Sequence, residues 1–349
     1  MTQRRQTARF APSLPPMLLL AAVFFLGCMS RYSAAAEETG TGYTLAAYLQ
    51  YEVREPRFAL IPQSARPGYP VTVAYSYDFE SLGAQAQSLR AVLVSADGRR
   101  LSRAAFFSLP PQEGHGAPVK AAVLAIPFTA AFGDVTIRIE SEEYTIRDLP
   151  FFIEDRQFHS ETIFLDQRNT TIRTAPNPQR VAESQHIWGI FNRTGTDIYS
   201  GDAFLRPVTS TRRTSDFGSR RVFQYVTGDA DTTFHFGIDY GVPTGTDVMA
   251  SARGRVVLAR YRIVTGNSVV LEHLPGVYTL YYHMDSLAVS EGDIVEAGAL
   301  LGQSGVTGLA TGPHLHWEVR VSGESADPDA FVSRAVLDKN EIFSQLTTW

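Results

Sequence analysis

Cysteine is nearly absent: Cys28 is the single one in 349 residues, so no intramolecular disulfide can form. Long apolar runs are missing too, and the stretch at residues 17–27 is too short to cross a bilayer as a mature helix. There is no excess of positive charge. The formal net charge of −5 removes the general attraction to nucleic acid or anionic lipid, so no nucleic-acid partner is expected. No fixed-period repeat appears, which excludes solenoids and propellers. What remains is a chain longer than one ordinary domain with 44% hydrophobic residues, for which two globular domains are the natural expectation.

The first residues read as an address rather than a fold. Arg4, Arg5 and Arg9 precede the apolar run, and small residues follow at Ser33 to Ala36. Residues 1–36 are therefore expected to be an export signal, placing the rest of the chain in the periplasm or cell envelope. Gly27-Cys28 at the end of the apolar run is similar to a bacterial lipidation box, although Phe25 stands where leucine is usual. A lipid anchor at Cys28 is one expectation, and simple cleavage near Ala34 to Ala36 is its rival. Mass analysis of the mature N-terminus distinguishes them.

The remainder is expected to be mainly all-β. In residues 40–154, alternating runs such as Val71, Val73, Tyr75, Tyr77 and Val135, Ile137, Ile139 lie between the turn signals Pro67-Gly68, Asp97-Gly98 and Gly133-Asp134. They predict a β-sandwich accessory domain serving as spacer, docking module or inhibitory cover. Residues 155–200 form a linker, with one helix predicted from Gln179 to Phe191 after Pro176 and Pro178. Residues 201–335 are rich in β-branched residues and glycine and predict an antiparallel β domain, followed by a tail at 336–349.

Five of the eight histidines fall in this last domain: His235, His273, His283, His314 and His316. On a strand, His314 and His316 share one face about 6 to 7 Å apart, with Leu315 turned inward. One ring can then hold a metal while the other reaches a water. His235 and Asp239 are four residues apart, about 13 Å along a straight strand, so a bend is required, and Gly237 is expected to supply it. With His316 they offer two nitrogens and one oxygen, a set that suits zinc and leaves a fourth tetrahedral position free. His283, on its own strand, is placed to assist an oxyanion. Glu318 shares the face of His314 and His316 and can orient a ligand. Arg220, His273, His115, His159 and His186 are expected in surface or core roles.

The order and spacing of Asp216-Phe-Gly-Ser-Arg220, His235-Phe-Gly-Ile-Asp239, Tyr281-Tyr-His283 and Thr307-Gly-Leu-Ala-Thr-Gly-Pro-His-Leu-His316 resemble the lysostaphin-type (LytM-like) zinc metalloendopeptidases over residues 207–331. The resemblance implies a compact antiparallel β structure with a groove for an extended peptide. It also implies Zn2+ on the positions matching His235, Asp239 and His316, with His283 and His314 assisting catalysis. The substrate it implies is the stem-peptide cross-links of bacterial peptidoglycan. Met284-Asp285 departs from the leucine and serine that commonly follow the strand histidine. The alternative reading is a catalytically silent wall-binding activator of other hydrolases; its mark would be a missing ligand, and all five positions are filled.

Overall fold

The computed structural model describes residues 56–347 apart from 77–88, 114 and 194. The expected export signal, Cys28 and Tyr77 lie outside the described residues. Among the described residues no helix is long and apolar enough to cross a membrane.

The chain is mainly β, as its patterning predicts. In the first part, a four-stranded sheet takes the order Arg57–Ile61, Pro70–Ser76, Val119–Ala125, Phe107–Ser108. A five-stranded sheet takes the order Ser64–Ala65, Thr145–Ile153, Gly133–Glu140, Arg90–Val94, Arg100–Ala105. Val71, Val73 and Tyr75 are fully buried and face Leu93, Ile137, Ile139 and Ile153 of the other sheet, the core of a sandwich. The four-stranded sheet is apolar on its second face as well. Ala59, Ala74, Ala121, Val123 and Ala125 join one core with residues of the C-terminal sheet such as Trp317 and Val319. The small alanines let the two backbones come close: Ser322 Oγ donates to the Val123 carbonyl and Asp327 N–H to the Gly68 carbonyl at 2.7 Å.

The linker contains more structure than its sequence shows. The expected helix spans Pro178–Phe191, with Pro178 in its first turn and Asn177 accepting from Arg180 N–H as the cap. A second helix, Gln167–Thr174, is capped by Asp166. Its threonine-rich sequence has little helical pattern, so only the Asp166 cap could have signalled it. Before it, the strand Ser160–Phe164 pairs in parallel with Arg220–Gln224.

The C-terminal sheet runs in the order Arg213–Ser215, Gly237–Tyr240, Leu315–Val321, Val277–Leu287, Gly266–Leu274, Gly254–Arg262, Ile294–Val295, each neighbour antiparallel. Alternation divides its faces. Leu315, Trp317, Val319 and Tyr281 enter the core shared with the sandwich. On the opposite face Tyr278, Leu280 and Tyr282 pack against Ile187, Ile190 and Phe191 of the helix Pro178–Phe191. The helix thus covers one end of that face and leaves the other to the site.

His273 is fully buried and outside the site. Its Nδ1–H donates to the Arg253 carbonyl at 2.9 Å, and its Nε2 accepts from Thr279 Oγ1 at 2.7 Å. Burial pushes its pKa down to about 4 from the ordinary 6.5. The unfolded chain therefore binds one more proton than the fold between those values. The stabilisation is complete above pH 6.5 and is lost as pH falls toward 4, at most about 3 kcal/mol from this residue. In urea unfolding between pH 7 and 4.5, His273→Gln is expected to show a shallower loss of stability than the wild type. Equal slopes would show that His273 does not carry this dependence.

Candidate metal centre

Three side chains from two adjacent strands and the bend before one of them converge. Asp239 lies on Gly237–Tyr240 and pairs directly with His316 on Leu315–Val321. His235 lies just ahead of its strand, past the end of Ala230–Phe234. His235 Nε2, Asp239 Oδ1 and His316 Nδ1 stand 2.9 to 3.0 Å from one another, and all three residues are buried. They are the described group of histidine and carboxylate side chains able to share an ion.

The bend between His235 and Asp239 differs from the one expected. The chain turns at His235-Phe236, between strands of two different sheets. Gly237 already lies on its strand and serves another need. A Cβ there would stand 2.3 Å from the Trp317 carbonyl oxygen and 3.0 Å from the His316 ring. Glycine is required for the close approach of the two ligand-bearing strands, not for the turn.

Each ring is fixed by a bond on its far side. His235 Nδ1–H donates to the Asp216 carbonyl at 2.9 Å, which leaves Nε2 as a lone pair facing inward. His316 Nε2 faces Glu318 Oε2 at 3.3 Å, and Glu318 is itself paired with Arg320. Glu318 thus stands where alternation predicts it. Tyr282 stacks on the His316 ring, 5.3 Å between centroids and 6° from parallel. Asp239 Oδ2 accepts from Arg221 Nη2 at 2.5 Å, so only Oδ1 faces the centre.

The electrostatics ask for a cation. Burial opposes the charge on Asp239, but His235 and His316 outweigh it and hold the carboxyl well below the ordinary carboxylate range. Burial likewise opposes charge on His316, but the hydrogen bonds its ring donates to the Asp239 and Glu318 carboxylates lift its pKa to about 9. For His235 burial dominates and pushes the pKa down. Three electron-pair donors thus crowd one point, where without metal a single proton on His316 supplies the positive charge. Donors about 3 Å apart can all be reached by one ion at the usual zinc–ligand lengths of about 2.0 to 2.2 Å. The donor set fits a metal.

Two more histidines flank this point. His283 and His314 have ring centroids 4.7 Å apart, and His283 lies 6.3 Å from His316. His314 Nε2 is 3.9 Å from Asp239 Oδ1, while its Nδ1–H donates to the Gly312 carbonyl. His283 Nδ1–H donates to the Thr307 carbonyl at 2.8 Å. Strict alternation would turn His283 into the core beside Tyr281. Instead a register irregularity in its strand and a φ of 61° redirect it toward His314. Burial, with His314 and His316 close by, pushes its pKa to about 3, so it is neutral. His159 and His186 are exposed, and His115 packs against Phe343, away from the cluster.

Arg221, Ser215 and Glu161 were not singled out from sequence. Arg220, which was, points outward and its guanidinium meets Thr232 Oγ1 at 3.4 Å. Its neighbour faces the site by the same alternation, a signal that was available once the strand was recognised.

Residues 233–328 match the model of Peptidase family M23, and this stretch contains all five clustered groups. A DD-carboxypeptidase/endopeptidase Mpg from Neisseria meningitidis serogroup B is 40% identical over 124 residues, 36% of this chain and 28% of the relative. Peptidoglycan DD-endopeptidase ShyA from Vibrio cholerae serotype O1 is 41% identical over 123 residues, 35% of this chain and 28% of the relative. This chain thus spans under a third of the length of either relative. A solved Pseudomonas aeruginosa protein assigned to peptidase M23 superposes with a TM-score of 0.50 at 21% identity, covering 76% of this chain and 94% of that one. That likeness is one of fold, and it extends well beyond the matched domain.

Proposed function

We propose that this chain, which carries a peptidase family M23 domain in its C-terminal part, is a zinc endopeptidase that hydrolyses the peptide cross-links of bacterial peptidoglycan. The carrying observation is the convergence of His235 Nε2, Asp239 Oδ1 and His316 Nδ1 beside two further histidines. The named activities of the Neisseria and Vibrio relatives supply the substrate class. Such work belongs in the cell envelope. The leader at residues 1–36 supports export there, and Cys28 is the candidate lipid anchor.

His235, Asp239 and His316 would hold the ion, and zinc bound there supplies Lewis acidity toward a carbonyl and acidity toward water. Glu318 and the Asp216 carbonyl hold the two imidazoles in the tautomers that point lone pairs inward. His314 presents Nε2 as an acceptor because Nδ1–H is tied to Gly312. That atom lies 3.9 Å from Asp239 Oδ1, beside the point where the three donors meet, so His314 accepts the proton of the attacking water. His283 is neutral, with Nδ1–H tied to Thr307, and presents a lone pair at Nε2. It becomes a donor toward the developing oxyanion only after gaining a proton at that atom.

His314→Ala is expected to keep bound zinc while turnover falls about 10² to 10⁴-fold. Metal content together with digestion of purified sacculi, with and without chelator and followed by mass analysis of released muropeptides, tests both parts. Undiminished digestion by His314→Ala, or digestion indifferent to chelator, would overturn the assignment.

A further inference from the structure

Outside the matched domain, one half-buried chain of charges reaches the centre. Glu161 lies on the linker strand Ser160–Phe164 and is the direct register partner of Arg221 on Arg220–Gln224. Its Oε1 accepts from Arg221 Nε at 2.7 Å, and Arg221 Nη2 donates to Asp239 Oδ2 at 2.5 Å. The same Glu161 oxygen accepts from Ser215 Oγ at 2.7 Å, and that hydroxyl lies 3.2 Å from His235 Nδ1. One carboxylate therefore stands behind two of the three metal-facing side chains. Glu161, Ser215 and Arg221 all precede residue 233, where the family match begins.

We infer that Glu161, acting through Arg221, is a positioning residue for the metal centre, so that the linker completes the site that the C-terminal domain carries. This rests on the zinc reading above. Two effects point the same way. Arg221 pins Asp239 by taking Oδ2, which aims Oδ1 at the ring nitrogens. Arg221 is itself held at Nε by Glu161, without which a long flexible side chain would have to be ordered by one bond. The second effect is charge. An unbalanced guanidinium 2.5 Å from a ligand carboxylate opposes the arrival of a dication, and Glu161, on the far side of Arg221, offsets that field. Losing the carboxylate leaves the site one unit more positive and Asp239 less firmly aimed. Partners of metal ligands typically change affinity about 10 to 100-fold when removed.

The test is zinc affinity of the full chain by chelator competition for wild type, Glu161→Gln, Glu161→Asp and His316→Ala, with metal-free melting temperatures measured in parallel. The expected result is a zinc dissociation constant raised about 10 to 100-fold in Glu161→Gln, with metal-free melting unchanged and affinity largely restored in Glu161→Asp. The cobalt-substituted protein should show a shifted visible absorption in Glu161→Gln, because the field at Asp239 changes. Wild-type affinity in Glu161→Gln overturns the inference. So does a loss of affinity in both Glu161 variants that tracks a fall in metal-free melting, since Glu161 would then merely support the fold. If the wild type binds no zinc that His316→Ala abolishes, the metal reading itself fails, an outcome distinct from either.

Discussion

His316→Ala is expected to abolish zinc binding and to lower hydrolysis of purified sacculi by about 10³-fold or more. Several kcal/mol of barrier lowering are carried by a catalytic metal, and each 1.36 kcal/mol is tenfold in rate. The size of the effect follows from how much meets at this ring. Its Nδ1 is one of the three inward donors, its Nε2 meets Glu318, and its face carries Tyr282. Truncation removes a ligand and leaves the Asp239 and Glu318 carboxylates without their shared partner in a buried space. The contrast with His314→Ala is the informative part: one variant loses the metal, the other keeps it and loses turnover. Metal analysis after dialysis, beside the sacculus assay, separates them. Retention of one zinc per chain by His316→Ala would mean that the ion is held elsewhere.

Gly237→Ala should be nearly as damaging although it removes nothing. The added Cβ would lie 2.3 Å from a backbone carbonyl oxygen, that of Trp317, which cannot swing away because its strand is paired on both sides. The strand Gly237–Tyr240 must retreat, and Asp239 retreats with it. Overpacking of this kind costs about 1 to 3 kcal/mol of stability, and the displaced carboxylate should weaken zinc binding at least about tenfold. Urea unfolding of the metal-free protein and chelator competition measure the two effects separately. A variant that matches the wild type in both would show that the strands do not approach as closely as described.

Much of this was legible in the residues because it depends on local periodicity. Val71, Val73 and Tyr75 face the sandwich core, and Leu315 and Trp317 face inward while His316 and Glu318 face the site. The period of two on a strand is set by backbone geometry, not by neighbours. Gly237 was recognised as meaningful, but its reason was not. A turn is a property of one segment, whereas the clash it avoids involves a carbonyl 80 residues away. His283 stands beside His314, yet alternation would have aimed it at the core; the irregularity that turns it out arises from pairing with Gly266–Leu274 and from the bond its N–H makes to the Thr265 carbonyl.

By itself the sequence determined the mainly β architecture, the helix from Pro178, and the identity of five polar groups in one domain, because patterning, caps and side-chain chemistry are local properties. Only the tertiary structure decided that His235 Nε2, Asp239 Oδ1 and His316 Nδ1 meet within 3.0 Å, and that Glu161 of the linker reaches them through Arg221. Those contacts depend on strand order and register, which arise when distant segments bury their apolar faces together, and no spacing along the chain encodes the distance across a sheet.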